Sequence, residues 1–393
     1  MTQPVYTPFT TPRLDRDKLD AYNTLRSDHF SRLSRNQKGV LRDLTIGVAN
    51  LYSTYDFNLI LEIFADNQES KVDFSSQSMA QRIAHTGAMV IPYPDYNQGP
   101  DIGKRNWRRM RTDLVQSKYL SPLGKYSPPY RVLGFDHADT IDVYKQALIS
   151  EVATEQKIQP NTPEYTRFLQ TANNVFGVTQ IDKLKGSYQN PSIPIIVVEG
   201  EFKALAILDA VMDKHKEVLT KCVESDDPAA MLHTLNRNDQ LPPLVTCAGI
   251  GGVWNMVTKD KDAQEKKYVV RSEWSDNINL QKREVLICFD SDSKWLVGVG
   301  HAASSLAAAC KPFKSVIKYI SIPSPRGAKL GADDYIQAYG PNAFLQTVGE
   351  AKPIAAGVTF NSLKAAMRSG QSPIDYCIDL HAKEQDNAHS VSV

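Results

Sequence analysis

Acidic side chains follow two apolar segments of the sequence, where each segment has the pattern of a buried strand that is about to end. Glu199 comes directly after the run 193–198, and Asp290 and Asp292 come after the run 285–289. If both runs are parallel strands, their carboxyl ends lie at one edge of a sheet, and alternation places the two aspartates on the same side. Carboxylate oxygens are hard ligands that suit Mg²⁺ or Mn²⁺. The spacing therefore predicts a divalent-cation site.

The elements that would position these acids alternate between apolar strands and helices. Segments 193–202, 241–252, 284–293 and 316–323 are predicted strands, and helical segments separate them. Continuous apolar strands joined by helices are typical of a parallel sheet that is covered on both faces. We therefore expect an α/β fold whose ligands bind at the carboxyl ends of its strands.

These segments resemble a known family. A strand ending in Glu-Gly, a glycine-bearing second strand end and a strand running into Asp-x-Asp are the three signatures of the Toprim domain, which occurs in bacterial primases, type IA and type II topoisomerases, OLD-type nucleases and recombination proteins. The motifs VEGEFKAL (198–205), GGVWN (251–255), FDSD (289–292) and GADDYI (331–336) resemble, more narrowly, the Toprim-like domain of unknown function DUF3854 of plasmid and phage primase-like replication proteins. The resemblance covers residues 185–352 and implies a Toprim-like, Rossmann-like parallel sheet.

The resemblance also implies roles for individual residues. Glu199 would be the general acid/base or a metal ligand, and Asp290 and Asp292 would hold Mg²⁺ or Mn²⁺ against phosphate. Nucleotide or phosphate contacts are implied for residues at helix starts and in the glycine-bearing turn, namely Gly200, Glu201, Lys203, Gly249, Gly251, Gly252, Asp333 and Asp334.

Each of these residues also has a plainer interpretation. The acids could cap the helices that follow the strands, since negative charge is favourable at a helix N-terminus in any α/β fold. Lys203 is equally consistent with a helix-surface lysine, Asp333 with an ordinary N-cap, and Trp254 with a core residue rather than a stacking platform. The order of the four motifs along the chain favours the metal site.

The N-terminal part of the chain contains a basic segment. Between Lys104 and Arg131, eight lysines and arginines stand against one acid, Asp113. The spacing predicts helices over 36–52, 75–84 and 106–119, a turn near 86–103, and short strands over 119–126 and 129–133. This layout resembles a winged helix-turn-helix, whose second helix enters the DNA major groove. The candidate DNA-binding residues are Lys104, Arg105, Arg108, Arg109, Arg111 and Lys125. The alternative is a helical packing module with a solvated arginine face.

Composition limits the class of protein. The 393 residues are 42% hydrophobic and 23% charged, which excludes global disorder. No apolar run approaches the roughly 20 residues of a membrane-spanning helix, and no secretory signal is apparent. We therefore expect a cytoplasmic protein with no membrane partner. The five cysteines lack zinc-ligand spacing and are expected to be reduced thiols.

The pattern along the chain predicts four regions. A mainly helical, winged-helix-like DNA-binding domain is expected at 1–134 and a Toprim-like catalytic or nucleotide-binding domain at 185–352. A connector at 135–184 would contain helices over 141–153 and 163–176. The polar residues 353–393 are expected to form a flexible or partner-docking tail.

Together these features predict a Mg²⁺-dependent, DNA-binding protein of plasmid or phage replication that performs primase-like nucleotidyl transfer. Its partners would be DNA and nucleotides. The chain has no GxxxxGK[ST] loop, so a helicase would have to be a separate partner protein. Two alternatives stay open, a non-catalytic winged-helix replication initiator or regulator and a Toprim nuclease.

Overall fold

Strands and helices alternate along most of the chain in a computed structural model, which describes residues 88–93, 107–112, 119–120, 129–131, 138–260, 267–324 and 329–391. The chain divides into two units, residues 1–127 and 128–393. The strands are β1 (Ala88–Tyr93), β2 (Trp107–Thr112), β3 (Tyr119–Leu120), β4 (Tyr130–Arg131), β5 (Ile195–Val198), β6 (Thr246–Gly249), β7 (Val257–Lys259), β8 (Tyr268–Val270), β9 (Glu284–Cys288), β10 (Val316–Tyr319) and β11 (Lys352–Pro353). The helices are α1 (Ala138–Glu155), α2 (Pro163–Thr179), α3 (Glu201–Val223), α4 (Pro228–Arg237), α5 (Ser272–Ser275), α6 (Val297–Cys310), α7 (Ala332–Gly349), α8 (Phe360–Arg368) and α9 (Pro373–Val391).

The second unit contains a six-stranded sheet in the order β11-β10-β9-β5-β6-β4. Its four central strands, β10, β9, β5 and β6, run parallel. The two edge strands, β11 and β4, are antiparallel to their neighbours. The chain moves outward from β5 to β6, and then returns to the other side of β5 to form β9 and β10. The strand order therefore reverses between β5 and β9, and open α/β sheets bind ligands at such a reversal.

Most side chains of the central strands are apolar and lie in the core. Every residue of β5 and β6 is buried, and so are the last four residues of β9. Helix α3 packs on β5 and β6, and α6 packs on β10. All five cysteines are buried and free, as predicted for reduced thiols. The prediction of an α/β fold with a mostly parallel sheet is confirmed, while the strand β11 and the place of β4 in this sheet were not predicted.

The two helices predicted for the connector are present as α1 and α2. Helix α2 begins where its sequence provides a cap, because Thr162 accepts a hydrogen bond from the Tyr165 amide at 3.1 Å and Pro163 occupies the first helical position. Among the helices that the structure describes, none is long and apolar enough to cross a membrane.

The first unit contains a small antiparallel sheet where a helix was predicted. Strand β2 pairs with β1 over six residues, from Ala88 opposite Thr112 to Tyr93 opposite Trp107, and β3 pairs with the other edge of β2. The helix predicted over 106–119 and the turn predicted near 86–103 were therefore wrong at these residues. A helical spacing of apolar residues does not exclude a strand, and the run Ala88–Tyr93 provides the distant ladder partner.

Two further predictions of the winged-helix layout have separate outcomes. The expected wing strand at 129–133 is β4, which pairs with β6 in the large sheet. The helices predicted over 36–52 and 75–84 lie outside the described residues. A winged helix needs a helix where β2 lies, so the described residues do not support that layout.

The C-terminal residues were expected as a tail, and the structure shows an ordered part of the second unit. Helices α8 and α9 pack against α6. Ile374 and Cys377 are fully buried. A Cβ added at Gly300 of α6 would lie 2.7 Å from the Pro373 Cβ, so α9 approaches α6 very closely. The prediction of a flexible tail was wrong for the helical residues 360–368 and 373–391, because a few buried apolar residues are enough to dock an otherwise polar helix.

Candidate active site

The predicted acids meet where the strand order reverses. Glu199 is the first residue after β5, and Asp290 follows β9 on the neighbouring strand. Although the two residues are 91 positions apart, the Asp290 amide donates to Glu199 Oε1 at 3.4 Å, and the Ser293 hydroxyl donates to the same oxygen at 3.3 Å. The prediction that strand-end acids converge at the sheet edge is confirmed for this pair.

Two lysines connect the carboxylates. Lys203, in the first turn of α3, donates to Glu199 Oε2 at 2.6 Å and also to Asp290 Oδ1. The Lys329 ammonium lies 3.2 Å from Asp290 Oδ2 and 3.3 Å from Asp292 Oδ2. Each acid that was predicted as a metal ligand therefore has an ammonium partner, and Asp290 has a different one at each oxygen.

The balance between burial and the charge of Lys203 differs at the two central acids. Burial raises the pKa of Glu199 above its ordinary value, although Lys203 opposes this effect. Burial acts in the same direction on Asp290, but the hydrogen bond and charge of Lys203 outweigh it and hold the pKa of Asp290 below its ordinary value. Asp290 therefore keeps its negative charge, and Glu199 is the acid that takes up a proton first. Divergent pKa values in one site are typical of general acid/base pairs.

Helix α7 brings a fourth acid to the cluster. Gly331 is the N-cap residue of this helix, and Asp334, the third helical residue, accepts the Gly331 amide through its Oδ2 at 3.3 Å. A Cβ on Gly331 would lie 2.5 Å from Asp333 Oδ1, 2.7 Å from Lys203 Cε and 3.2 Å from Asp290 Oδ1. Only glycine therefore leaves room for these three side chains to meet. The N-cap position that was considered for Asp333 is occupied by Gly331, and Asp333 faces the lysine and the aspartate.

The donor chemistry of the cluster fits a divalent cation. Asp292 Oδ1 and Asp333 Oδ1 are buried without a hydrogen-bond partner. Burial, followed by the charge of Asp334, raises the pKa of Asp333. The cluster contains four carboxylates and two ammonium groups, which leaves an excess of negative charge. The carboxylates belong to Glu199, Asp290, Asp292 and Asp333, and the ammonium groups to Lys203 and Lys329. Hard oxygen donors with excess negative charge suit Mg²⁺ or Mn²⁺.

The two ammonium groups set a condition on such a cation. Within the described ranges, no three acidic, histidine or cysteine side chains are grouped so that they could hold a metal ion. The Lys203 ammonium bonds to both Glu199 and Asp290. A cation that used both carboxylates would therefore have to take the place of this ammonium.

The predicted glycines lie beside the acid pair at the end of β6. A Cβ on Gly249 would lie 3.0 Å from both the carbonyl carbon and oxygen of Gly200, so the end of β6 closely approaches the start of α3. Gly251 and Gly252 form the following turn with φ angles of 62° and 144°. Gly200 is the N-cap of α3, and Glu201 is its buried first residue. These five residues form the part of the sheet edge where a nucleotide was predicted to bind.

The structure gives little information on the predicted DNA-binding residues. Lys104, Arg105 and Lys125 lie outside the described residues. For Arg108, Arg109 and Arg111, only the backbone is described, as part of β2. Their contact with DNA stays a prediction.

Sequence reasoning did not assign two residues that contact the acids. Ser293 contacts Glu199, and its position immediately after the Asp-x-Asp motif was the available signal. Lys329 bridges two acids from the loop before α7. A lysine in that loop gives no local signal of its partners, because the contact depends on how the loop returns to β9.

Comparison with known proteins gives one match. A family described as a domain of unknown function (DUF3854) matches residues 244–343. The matched segment contains the glycine turn after β6, Asp290, Asp292 and the start of α7, while Glu199 and Lys203 precede it. No curated protein and no solved structure matches the chain.

Proposed function

We propose that the protein is a Toprim-type, divalent-cation-dependent enzyme that transfers nucleotidyl groups in the manner of a primase. The observation that supports this proposal most strongly is the meeting of Glu199 and Asp290 at the reversal of strand order. A ligand crevice is expected at that place in an open α/β sheet. Plasmid or phage replication is the setting that the Toprim resemblance suggests.

The ion would be held by Asp290, Asp292 and Glu199, with Asp333 next to them. When bound, Mg²⁺ or Mn²⁺ neutralises phosphate charge and stabilises the oxygens of an in-line displacement. Burial raises the pKa of Glu199, and Lys203 donates a hydrogen bond to its Oε2. When Lys203 moves away from this oxygen, Oε2 can take up a proton and later release it, which is the role of a general acid/base. The released ammonium of Lys203 is then able to bind a phosphate oxygen.

Nucleic-acid binding by the first unit is the second part of the proposal. It depends on the seven lysines and arginines from Lys104 to Lys125, since Arg131 is buried in β4 of the second unit. Positive charge of this density favours phosphate backbones irrespective of secondary structure. DNA, nucleotides and a separate helicase or other replication protein are the partners proposed.

The lysine contacts favour one alternative function. Because Lys203 and Lys329 already neutralise part of the acid cluster, the site could hold its shape without a metal ion. A replication initiator or regulator that binds nucleotides without catalysis would have such a site. The two functions differ in whether product forms.

Primer synthesis on a single-stranded template with labelled nucleotides tests the proposal. We expect product with Mg²⁺ or Mn²⁺ and none from the Asp290→Asn variant. Glu284→Gln is the matched control, because Glu284 begins the same strand at the opposite edge of the sheet and pairs there with Lys318 at 2.6 Å.

The same preparations separate the alternatives. Nicking of a supercoiled plasmid in Mn²⁺, lost in Asp290→Asn, would assign hydrolysis to the site. Nucleotide binding without synthesis or nicking would instead support the non-catalytic regulator. A wild-type protein that neither makes product nor binds a divalent cation would refute the enzyme proposal.

A further inference from the structure

Four aromatic rings from separate elements form a cluster in the second unit. Trp254, from the turn after β6, lies 5.6 Å from Tyr268 of β8 and 5.4 Å from His301 of α6, measured between ring centroids. His301 also lies 5.9 Å from Tyr268 and 5.8 Å from Phe360, the first residue of α8. In none of these four contacts are the rings parallel, so none of the four is a flat stack.

The rings lie partly in solvent instead of in the core. Trp254, Tyr268 and His301 are half-buried, and Phe360 is 47% exposed. The expectation that Trp254 is a core residue was therefore wrong. Burial lowers the pKa of His301, so its ring is neutral near pH 7 and behaves as an aromatic group. Partly exposed aromatic rings retain the ability to stack on a flat ligand.

The backbone connects this cluster to the acid site. Trp254 follows Gly249 by five residues, and the turn between them is closed by hydrogen bonds from the Asn255 amide to the Gly252 carbonyl and from the Asn255 side chain to the Ile250 carbonyl, both 2.9 Å. Helix α6, which carries His301, begins just after Ser293, the residue that donates to Glu199. Both ring-bearing segments therefore start at the carboxyl edge of the parallel strands, where the acids lie.

Positive charge accompanies the rings. Lys259 of β7 is the register partner of Tyr268, and both Lys259 and Lys267 are exposed. The loop beyond Asp292 presents another exposed ring, Trp295, with the Lys294 ammonium 5.9 Å from its centroid. Aromatic rings with interspersed lysines are the pattern by which proteins bind single-stranded nucleic acid, through base stacking and phosphate attraction.

We propose that Trp254, Tyr268, His301 and Phe360 form a stacking platform for unpaired bases of a single-stranded nucleic acid. The strand's phosphates would lead along the turn after β6 to the acid and lysine cluster. This inference rests on the proposed function and assigns its substrate class as a single-stranded template. Stacking alone does not select a sequence, because every base has an aromatic face.

Fluorescence anisotropy with labelled dT12 and rU12, in EDTA and at fixed salt, tests the platform without any metal ion. We expect Phe360→Ala and Trp254→Ala to weaken binding about 5- to 150-fold, which is the usual range for loss of one stacked base. Tyr339→Ala is the matched control, because Tyr339 is 48% exposed on α7 outside the cluster and should bind normally. A 12-mer of abasic sites should bind the wild type and both cluster variants alike.

Several results would overturn the platform: no dT12 or rU12 binding by the wild type, unchanged binding by both variants, or an equal loss with the abasic strand. If Trp254→Ala is misfolded by circular dichroism, Phe360→Ala decides the question, because its side chain is half in solvent. Asp290→Asn should bind dT12 normally in EDTA. Normal binding without primer synthesis by the wild type would refute the proposed enzyme but leave the platform intact.

Discussion

Replacing Lys203 by methionine tests how the acid cluster is held together. Methionine keeps most of the side-chain length but removes the ammonium that bonds to both Glu199 and Asp290. The side chains of Lys203, Glu199 and Asp290 are 17%, 21% and 13% exposed. Removing one partner of a buried ion pair costs about 3–5 kcal/mol, and a surface pair contributes about 0–1 kcal/mol. For this partly buried cluster we expect a loss of about 2–4 kcal/mol in the free energy of unfolding.

The assay is urea unfolding of the wild type and Lys203→Met, in EDTA and in increasing MgCl₂. If the carboxylates can hold a cation, the variant should bind it more tightly than the wild type, because no ammonium competes for the oxygens. Above the dissociation constant, each tenfold increase in Mg²⁺ should stabilise the variant by about 1.4 kcal/mol. The wild type should begin to respond only at higher Mg²⁺ concentrations.

Lys185→Met is a matched control. Its ammonium also bonds to two carboxylates, Asp142 at 2.9 Å and Asp182 at 3.1 Å, but these acids are more than half exposed. We expect this variant to be nearly as stable as the wild type, because exposed ion pairs contribute little, and to show no Mg²⁺ dependence of its own. If Lys203→Met is no less stable than Lys185→Met, or if it is destabilised but insensitive to Mg²⁺, the idea that the lysine and a cation share this position is wrong.

Three further predictions concern other parts of the second unit. Burial lowers the pKa of His215 to about 3, so below about pH 6.5 the unfolded chain binds more protons than the folded protein. The stability of the wild type should therefore fall as the pH drops from 6.5 towards 3. Thermal unfolding of His215→Leu should depend less steeply on pH over this range. Gly331→Ala should weaken Mn²⁺ binding at least tenfold by calorimetry, because the added methyl displaces the acids, whereas Gly298→Ala, with open space at its Cβ, should bind normally. Ile374→Ala should lower the free energy of unfolding in urea by about 2–5 kcal/mol, because Ile374 is buried, whereas Met367→Ala, at an exposed position, should lower it by less than about 0.5 kcal/mol. Equal losses for the two variants would contradict the docking of α9.

The sequence was most informative where a single local pattern determined the structure. The four central strands were predicted because each lies in a mainly apolar segment, as is typical of the strands of a covered parallel sheet. Glu199 and Asp290 were placed together because parallel strands end at the same edge. The contacts of Lys203 and Lys329 were not predicted, since they depend on how α3 and a distant loop return to that edge.

Prediction was least successful where the deciding interaction is distant in sequence. Residues 107–112 have helical spacing, yet their backbone pairs with β1, and strand pairing depends on a partner that periodicity cannot reveal. A strand was expected where β4 lies, but its pairing with β6 was not, and the two-residue strand β11 is too short to show alternation. The residues of helix α9 were predicted to form a tail because most of them are polar, and only a narrow side of the helix is buried.

The separation of β5 and β9 in the chain has a consequence for biosynthesis. Glu199 leaves the ribosome long before Asp290, and Lys329 follows later still, so the nascent chain carries the first acid without its partners. Pairing β9 beside β5 closes a loop of about ninety residues that already contains β6, and such long-range pairing is a slow step in folding. Any activity of this centre therefore begins only after the greater part of the polypeptide has been translated.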